Sequence, residues 1–328
     1  MLRATPEDFV VDEILGFPAG GDGPHALLRV RKRGANTEWV ARELARAVGC
    51  KPFDVGFAGL KDRNALTTQS FTVPRGKRLA EEFVGLKGEG YEVIEAAAHQ
   101  RKLPRGALEG NRFEIAVRRW HADPELVTRR LAAIAGGGVP NYFGPQRFGR
   151  EAGNLEALMR TVAAPGQGGR RGRTPDQGFM LSAARSLVFN AVLAERVHQG
   201  NWNRLASGDV ANLDGRGSVF PVEALDGELE RRCTELELHP TAALPGAGDP
   251  LARGAALELE QSVAAHFPEA MAVIQSERMN AERRALRLRV RDLSWEYQQD
   301  VLRLRFALSA GSFATAVLRE IIDAVAEE

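Results

Sequence analysis

The sequence predicts an α+β fold interrupted by a mainly helical module. Three observations carry that expectation. Before Pro140, strand-like runs alternate with helix signals, as over 111–117, where Phe113, Ile115 and Val117 share one face. Over 141–283, helical patterns dominate. From Leu286 the period-two alternation returns, with Leu286, Leu288 and Val290 set against Arg287, Arg289 and Arg291. A chain of 328 residues, 44% hydrophobic, can bury the cores of two domains.

In chain order, residues 9–14 and 26–31 read as strands, joined by a Gly/Pro-rich stretch into a hairpin-like pair. Asn36 or Thr37 can cap a helix to Val48, with Val40, Leu44 and Val48 four apart and Gly49 closing it. An apolar run at 55–58 leads into a charged loop, and a strand at 69–73 leads out. A short helix is expected over 77–86, a strand over 91–97, a basic loop over 102–110 and a strand over 111–117. Asp123-Pro124-Glu125 starts a helix with proline in its first turn, and three glycines end it at 136–138. Further helices are expected over 155–162, 182–197, 257–267 and 269–284. A Gly/Arg-rich loop is expected over 165–178, and short elements over 200–254. A strand over 301–308 and a helix capped by Ser312 and running to Val325 complete the chain.

Formal net charge is only +1, so any basic surface must be local. Residues 140–185 hold seven arginines against Glu151, Glu156 and Asp176, and residues 278–291 hold six against Glu282. Either cluster alone also suits solvated helix faces or strand edges. Cys50 and Cys233 lie in no metal-ligand spacing and imply no disulfide framework; Cys50 reads as a small packing residue after a helix. There is no phosphate-binding glycine loop, no dinucleotide fingerprint and no His/Cys ligand set. The start has no apolar signal region, and no apolar run approaches the ~18 residues a membrane helix needs. A reducing cytoplasmic setting is expected, with no membrane partner.

The stretch most able to carry chemistry is Phe57-Ala58-Gly59-Leu60-Lys61-Asp62-Arg63-Asn64-Ala65-Leu66-Thr67-Thr68-Gln69. Gly59 would permit close backbone approach or positive φ. An acid between two cations on a loop held by strands favours its charged form. That suits a nucleophile or an electrostatic stabiliser better than a proton donor. As a bare loop it is equally a solvated turn with surface ion pairs.

The pattern A-G-x-K-D-x-x-A-x-T-x-Q resembles the signature of the TruD family of tRNA pseudouridine synthases. Four further stretches resemble that family in its order. They are Thr5-Pro6-Glu7-Asp8-Phe9-Val10-Val11, Gly106-Ala107-Leu108-Glu109-Gly110-Asn111-Arg112-Phe113, Val139-Pro140-Asn141-Tyr142-Phe143-Gly144-Pro145-Gln146-Arg147-Phe148-Gly149 and Ala310-Gly311-Ser312-Phe313-Ala314-Thr315. Together they span nearly the whole chain. The resemblance implies a mixed α/β catalytic domain with an antiparallel sheet, over 1–140 plus 284–328. It implies a TruD-type insertion domain over 141–283.

The implied reaction isomerises uridine to pseudouridine in tRNA, at position thirteen of the D-arm. It involves no redox change, phosphate or net water, so neither cofactor nor metal is expected; the partner is tRNA, and a monomer is expected. The resemblance puts the catalytic aspartate at Asp62. One carboxylate could attack the uracil ring, attack C1′, or abstract a proton to give a glycal. Asn111 and Phe113 match the family's polar and aromatic pocket positions, and Phe9 and Phe313 match two further binding residues. Arg3 occupies the basic position ahead of P-E-D-F and is the favoured partner of Asp62, with Lys61 the alternative. A target base inside folded RNA must be flipped out. Arg147, Arg150, Arg170, Arg171 and Arg173 are candidates for phosphate contacts. Two other readings compete. A catalytically idle RNA-binding or RNA-chaperone protein would need only the arginines. A hydrolase using Asp62 with Glu81 or Glu82 would need paired carboxylates across a substrate.

Overall fold

The computed structural model describes residues 1–149, 153, 175–277 and 279–326. The helix expected over 155–162, most of the loop expected over 165–178, and Arg150, Arg170, Arg171 and Arg173 lie outside the described residues. The chain divides into two compact units, Met1–Leu126 with Val290–Gly311, and Val127–Arg289 with Ser312–Glu328. The fold is mixed α+β.

The first unit is built on a nine-stranded sheet. Its strands are β1 (Phe9–Ile14), β2 (His25–Arg33), β3 (Gly56–Phe57), β4 (Leu66–Pro74), β5 (Lys87–Gly88), β6 (Tyr91–His99) and β7 (Gly110–Arg118), with Arg291–Gln298 and Val301–Ser309 from late in the chain. The order runs from Arg291–Gln298 through Val301–Ser309, β7, β1, β4, β2 and β6 to β5, with β3 on β4. β1 and β4 are parallel; the other pairings are antiparallel. Alternation fixes the faces. Val11 lies opposite Phe113, Glu13 opposite Asn111, and Phe306 opposite Phe113, so these side chains share one face.

The helix Thr37–Val48 ends at Gly49, whose φ of +80° is cheap for glycine. Its inner face (Val40, Ala41, Leu44, Ala45) packs on Leu28, Val30, Phe71, Val73 and Val93. Burying Leu44 alone contributes roughly 1.5–3 kcal/mol. Cys50 packs against the same core. The helix expected over 77–86 is reduced to a 3-10 turn, Ala80–Phe83. Sheet pairing overrides it: Gly85 N donates to Val93 O at 2.9 Å and Val93 N to Leu86 O at 2.8 Å.

In the second unit the helix Pro175–His198 starts inside the loop expected over 165–178, with proline at its first position. It buries Leu181, Ala184 and Val188 against Ala270, Val273 and Ile274 of the helix Pro268–Ser276. That second helix stops at Ser276 rather than reaching 284. Glu282–Ala285 instead pairs with Leu238–Leu244 at the edge of a four-stranded antiparallel sheet, completed by Val210–Leu213 and Val219–Pro221. The closing helix is Ala314–Ala326, starting one residue later than a cap at Ser312 predicts. Among the described residues no helix is long and apolar enough to cross a membrane.

Among the described residues, the arginines over 283–287 are not an open basic face. Arg287 is buried and donates to His239 Nδ1 (3.0 Å), Asn203 O (3.1 Å), Cys233 O (2.6 Å) and Leu238 O (2.7 Å). Burial pushes its pKa down. Arg283 is tied to Thr241 O (2.8 Å) and to Glu260 (2.8 Å). Alternation says which side chains oppose each other; at Arg287 the second side is covered too, whereas Arg289 stays 38% exposed.

Candidate active site

Asp62 sits on the loop between β3 and β4, and that loop is pinned at almost every residue. The Gln69 side-chain amide donates to Gly59 O. Thr37 Oγ1 accepts from Lys61 N at 3.0 Å and donates to Gln69 Oε1 at 3.0 Å. Lys32, 1% exposed on an inward position of β2, donates to Ala35 O (3.0 Å), Lys61 O (3.2 Å) and Asp62 O (3.1 Å). An ammonium has three donors and no acceptor, so three carbonyls satisfy it. Burial pushes its pKa down to about 8, with the nearby Asp62 charge opposing the shift and Lys61 adding to it.

The Asp62 carboxylate itself is open, its side chain 38% exposed. Oδ1 accepts from Asn64 N at 2.9 Å and closes the turn. Oδ2 accepts from Arg3 Nη1 at 2.8 Å. Arg3 adopts φ +56°, unusual for a residue with a Cβ. Its guanidinium lies 4.1 Å from the Phe9 ring centroid. The N-terminal segment is held by a bridge between Leu2 and Val117 and by Arg118 N donating to Met1 O at 3.0 Å. Arg118 also pairs with the buried Asp8 at 2.7 Å, which holds that carboxyl below its usual range.

Lys61 is not the partner of Asp62. Its ammonium binds the buried Glu13 at 2.6 Å, and Glu13 also accepts from Ser70 N at 3.0 Å. Gly59 has no positive φ and a Cβ there would meet only ordinary contacts. A glycine that cannot change is Gly56, where a Cβ would come within 2.6 Å of Leu103 O.

Phe9, Phe113 and Phe306 form a buried aromatic row beside Arg3. Phe9 meets Phe113 edge-on at 6.1 Å, and Phe113 stacks on Phe306 at 5.3 Å. Asn111, two residues before Phe113 on the same face, has a buried Oδ1 with no hydrogen-bond partner among the described residues. Such an acceptor costs ~1–3 kcal/mol unless something donates to it. Phe313 belongs to the second unit and packs with Phe143 and Phe189. Arg147 is half-buried there, donating to Ser182 Oγ at 3.0 Å with its guanidinium 4.7 Å from the Phe143 ring. Among the described residues no His, Cys, Asp and Glu group is placed to hold a metal ion.

Lys32 and Glu13 escaped the sequence reading, and Thr37 entered it only as a helix cap, not as an anchor of the loop. The usable signal was a charge at an inward position of an alternating strand, as at Lys32 and Glu13.

The family model for tRNA pseudouridine synthase D (TruD) matches residues 1–162 and 176–321. The chain belongs to the TruD family. It is 45% identical over 323 residues to tRNA pseudouridine synthase D of Methylococcus capsulatus, covering 98% of this chain and 90% of that protein. It is 43% identical over 327 residues to the enzyme of that name from Nitrosococcus oceani, again covering 98% and 90%. A crystal structure assigned to TruD, from Methanosarcina mazei, superposes with a TM-score of 0.75 over 98% of this chain and 93% of that one. At 23% identity that likeness bears on the fold.

Arg3→Ala should leave stability nearly unchanged, because an exposed ion pair is worth ~0–1 kcal/mol. It should slow single-turnover isomerisation about tenfold to a hundredfold, the scale of one charge-assisted hydrogen bond once bound RNA excludes water from the pair. Thermal melts and rapid-quench kinetics check both halves.

Proposed function

We propose that this chain converts uridine to pseudouridine in tRNA, at position thirteen of the D-arm, with Asp62 as the carboxylate at the glycosidic centre. The observation that supports this best is an open carboxylate on a rigidly pinned loop, hydrogen-bonded to Arg3, in a TruD-family chain. The N1–C1′ bond breaks and a C5–C1′ bond forms. C5 loses its proton and N1 gains one, so electrons balance without a redox partner. A rigid mount suits this chemistry, since the carboxylate must stay beside C1′ while the base turns.

The uracil leaves its stack to reach Asp62. Asn111 Oδ1 is suited to accept from the uracil N3–H, with Phe9 and Phe113 setting its position. The segment 141–283 grips the RNA, with Arg147, Arg150, Arg170, Arg171 and Arg173 as phosphate-facing candidates. One chain carries Arg3, Asp62, Asn111 and Phe113, so a monomer would suffice for this chemistry.

The test uses tRNA transcribed with tritium at uridine C5. Wild-type protein should release tritium equivalent to one uridine per tRNA; absence of release would overturn the proposal. Asn111→Leu removes the unmet acceptor at similar volume. Stability should hold or rise, while isomerisation falls roughly tenfold to a hundredfold. A large loss of stability would make Asn111 a structural residue instead.

A further inference from the structure

Beside β3 lies a cavity of about 520 Å³ that the isomerisation does not use, lined by Phe53, Phe57, Lys102, Leu103, Pro104 and Arg105. Phe53 is the most exposed large hydrophobic residue described, at 68%. It stands on a short 3-10 turn, Pro52–Asp54, closed by Lys51 N donating to Asp54 Oδ2 at 3.2 Å. The Lys102 ammonium donates to the Phe53 carbonyl, so the ring is exposed but its mount is fixed. Lys51 Nζ lies 5.7 Å from the Phe53 ring centroid. Across the cavity the Arg105 guanidinium lies 3.6 Å from the Phe57 centroid. Gly106 N donates to Ala58 O at 2.7 Å, which ties this basic loop to the segment running into Asp62. The acids nearby are Asp54, engaged in the turn, and Glu38, 3.8 Å from Arg105.

An exposed aromatic face ringed by three cations is what an unpaired base and its phosphate require. A protein-docking patch would carry fewer lysines, which are depleted at such interfaces. We propose that this cavity binds one unpaired nucleotide of the substrate RNA, its base stacked on Phe53 and its phosphate held by Lys51, Lys102 and Arg105. This rests on RNA being the substrate, and it adds a second contact point on the catalytic unit, separate from Asp62.

The test measures tRNA affinity and single-turnover rate at saturating tRNA for Phe53→Ala, Phe53→Trp and the double variant Lys102→Ala/Arg105→Ala. Phe53 is exposed, so its truncation should not disturb folding. Phe53→Ala should weaken tRNA binding roughly tenfold or more, with the saturated rate unchanged, and Phe53→Trp should restore affinity. The double variant should flatten the dependence of log affinity on log salt by about 1–2. A single-stranded oligonucleotide should quench the new tryptophan, whereas a duplex of equal length should not. Unchanged tRNA affinity in Phe53→Ala would overturn the inference, whatever else binds there. So would equal quenching by duplex and single strand. Tritium release by the wild-type protein is a separate readout, so failure here leaves the isomerase reading standing, and its failure leaves the binding result legible.

Discussion

Asp62→Asn should bind tRNA and fold normally, yet lose turnover by about 10³-fold or more. The amide keeps the size of the carboxylate and can still accept from Asn64 N, so the turn survives. The neighbouring anchors do not involve the side chain: Lys32 holds the Asp62 backbone carbonyl, and Thr37 holds Lys61 N. What is lost is the negative charge that the proposal places beside the ribose. Single-turnover tritium release at saturating tRNA isolates this step from binding. Turnover within tenfold of wild type would move the chemistry away from Asp62.

The second large effect is expected at Lys32, which touches no substrate and positions the loop. Lys32→Met keeps the volume but leaves the carbonyls of Ala35, Lys61 and Asp62 without their donor. Losing that partner should cost about 1–3 kcal/mol of stability. A shift of about an ångström in the carboxylate can cost roughly 10²-fold in rate, so the rate should fall further than stability suggests. The wild-type protein should also show an alkaline limb. Burial lowers the Lys32 pKa to about 8, so above that pH one of its three donors is lost and the rate should decline. The stability contribution has the opposite sign. Between about 8 and the ordinary lysine value of 10.5 the unfolded chain binds the extra proton, so this group's contribution to stability rises with pH across that window. A pH–rate profile that stays flat through pH 8 to 9 would remove Lys32 from this role.

Much of the fold was legible because local signals agreed with the packing. The helix Thr37–Val48 has its apolar spacing and its glycine stop, and β7 has its alternation. The misread stretches are those where pairing overrode local preference, as at 77–86 and at the strand Glu282–Ala285. The burial of Arg283 and Arg287 was missed for a different reason: alternation does not reveal a second covered face, and these two side chains fill one. The approach of Arg3 to Asp62, fifty-nine residues apart, is invisible to any spacing rule and was reachable only through the family resemblance. The three-carbonyl clamp of Lys32 left a fainter trace, a lysine where β2 should point an apolar side chain inward.

The most direct measurement is single-nucleotide mapping. An unmodified tRNA transcript is incubated with wild-type protein or with Asp62→Asn, treated with a carbodiimide that marks pseudouridine, and read by primer extension. The account predicts one new stop with the wild type, at position thirteen of the D-arm, and none with Asp62→Asn. Stops scattered over many uridines, or the same stop with both proteins, would contradict it.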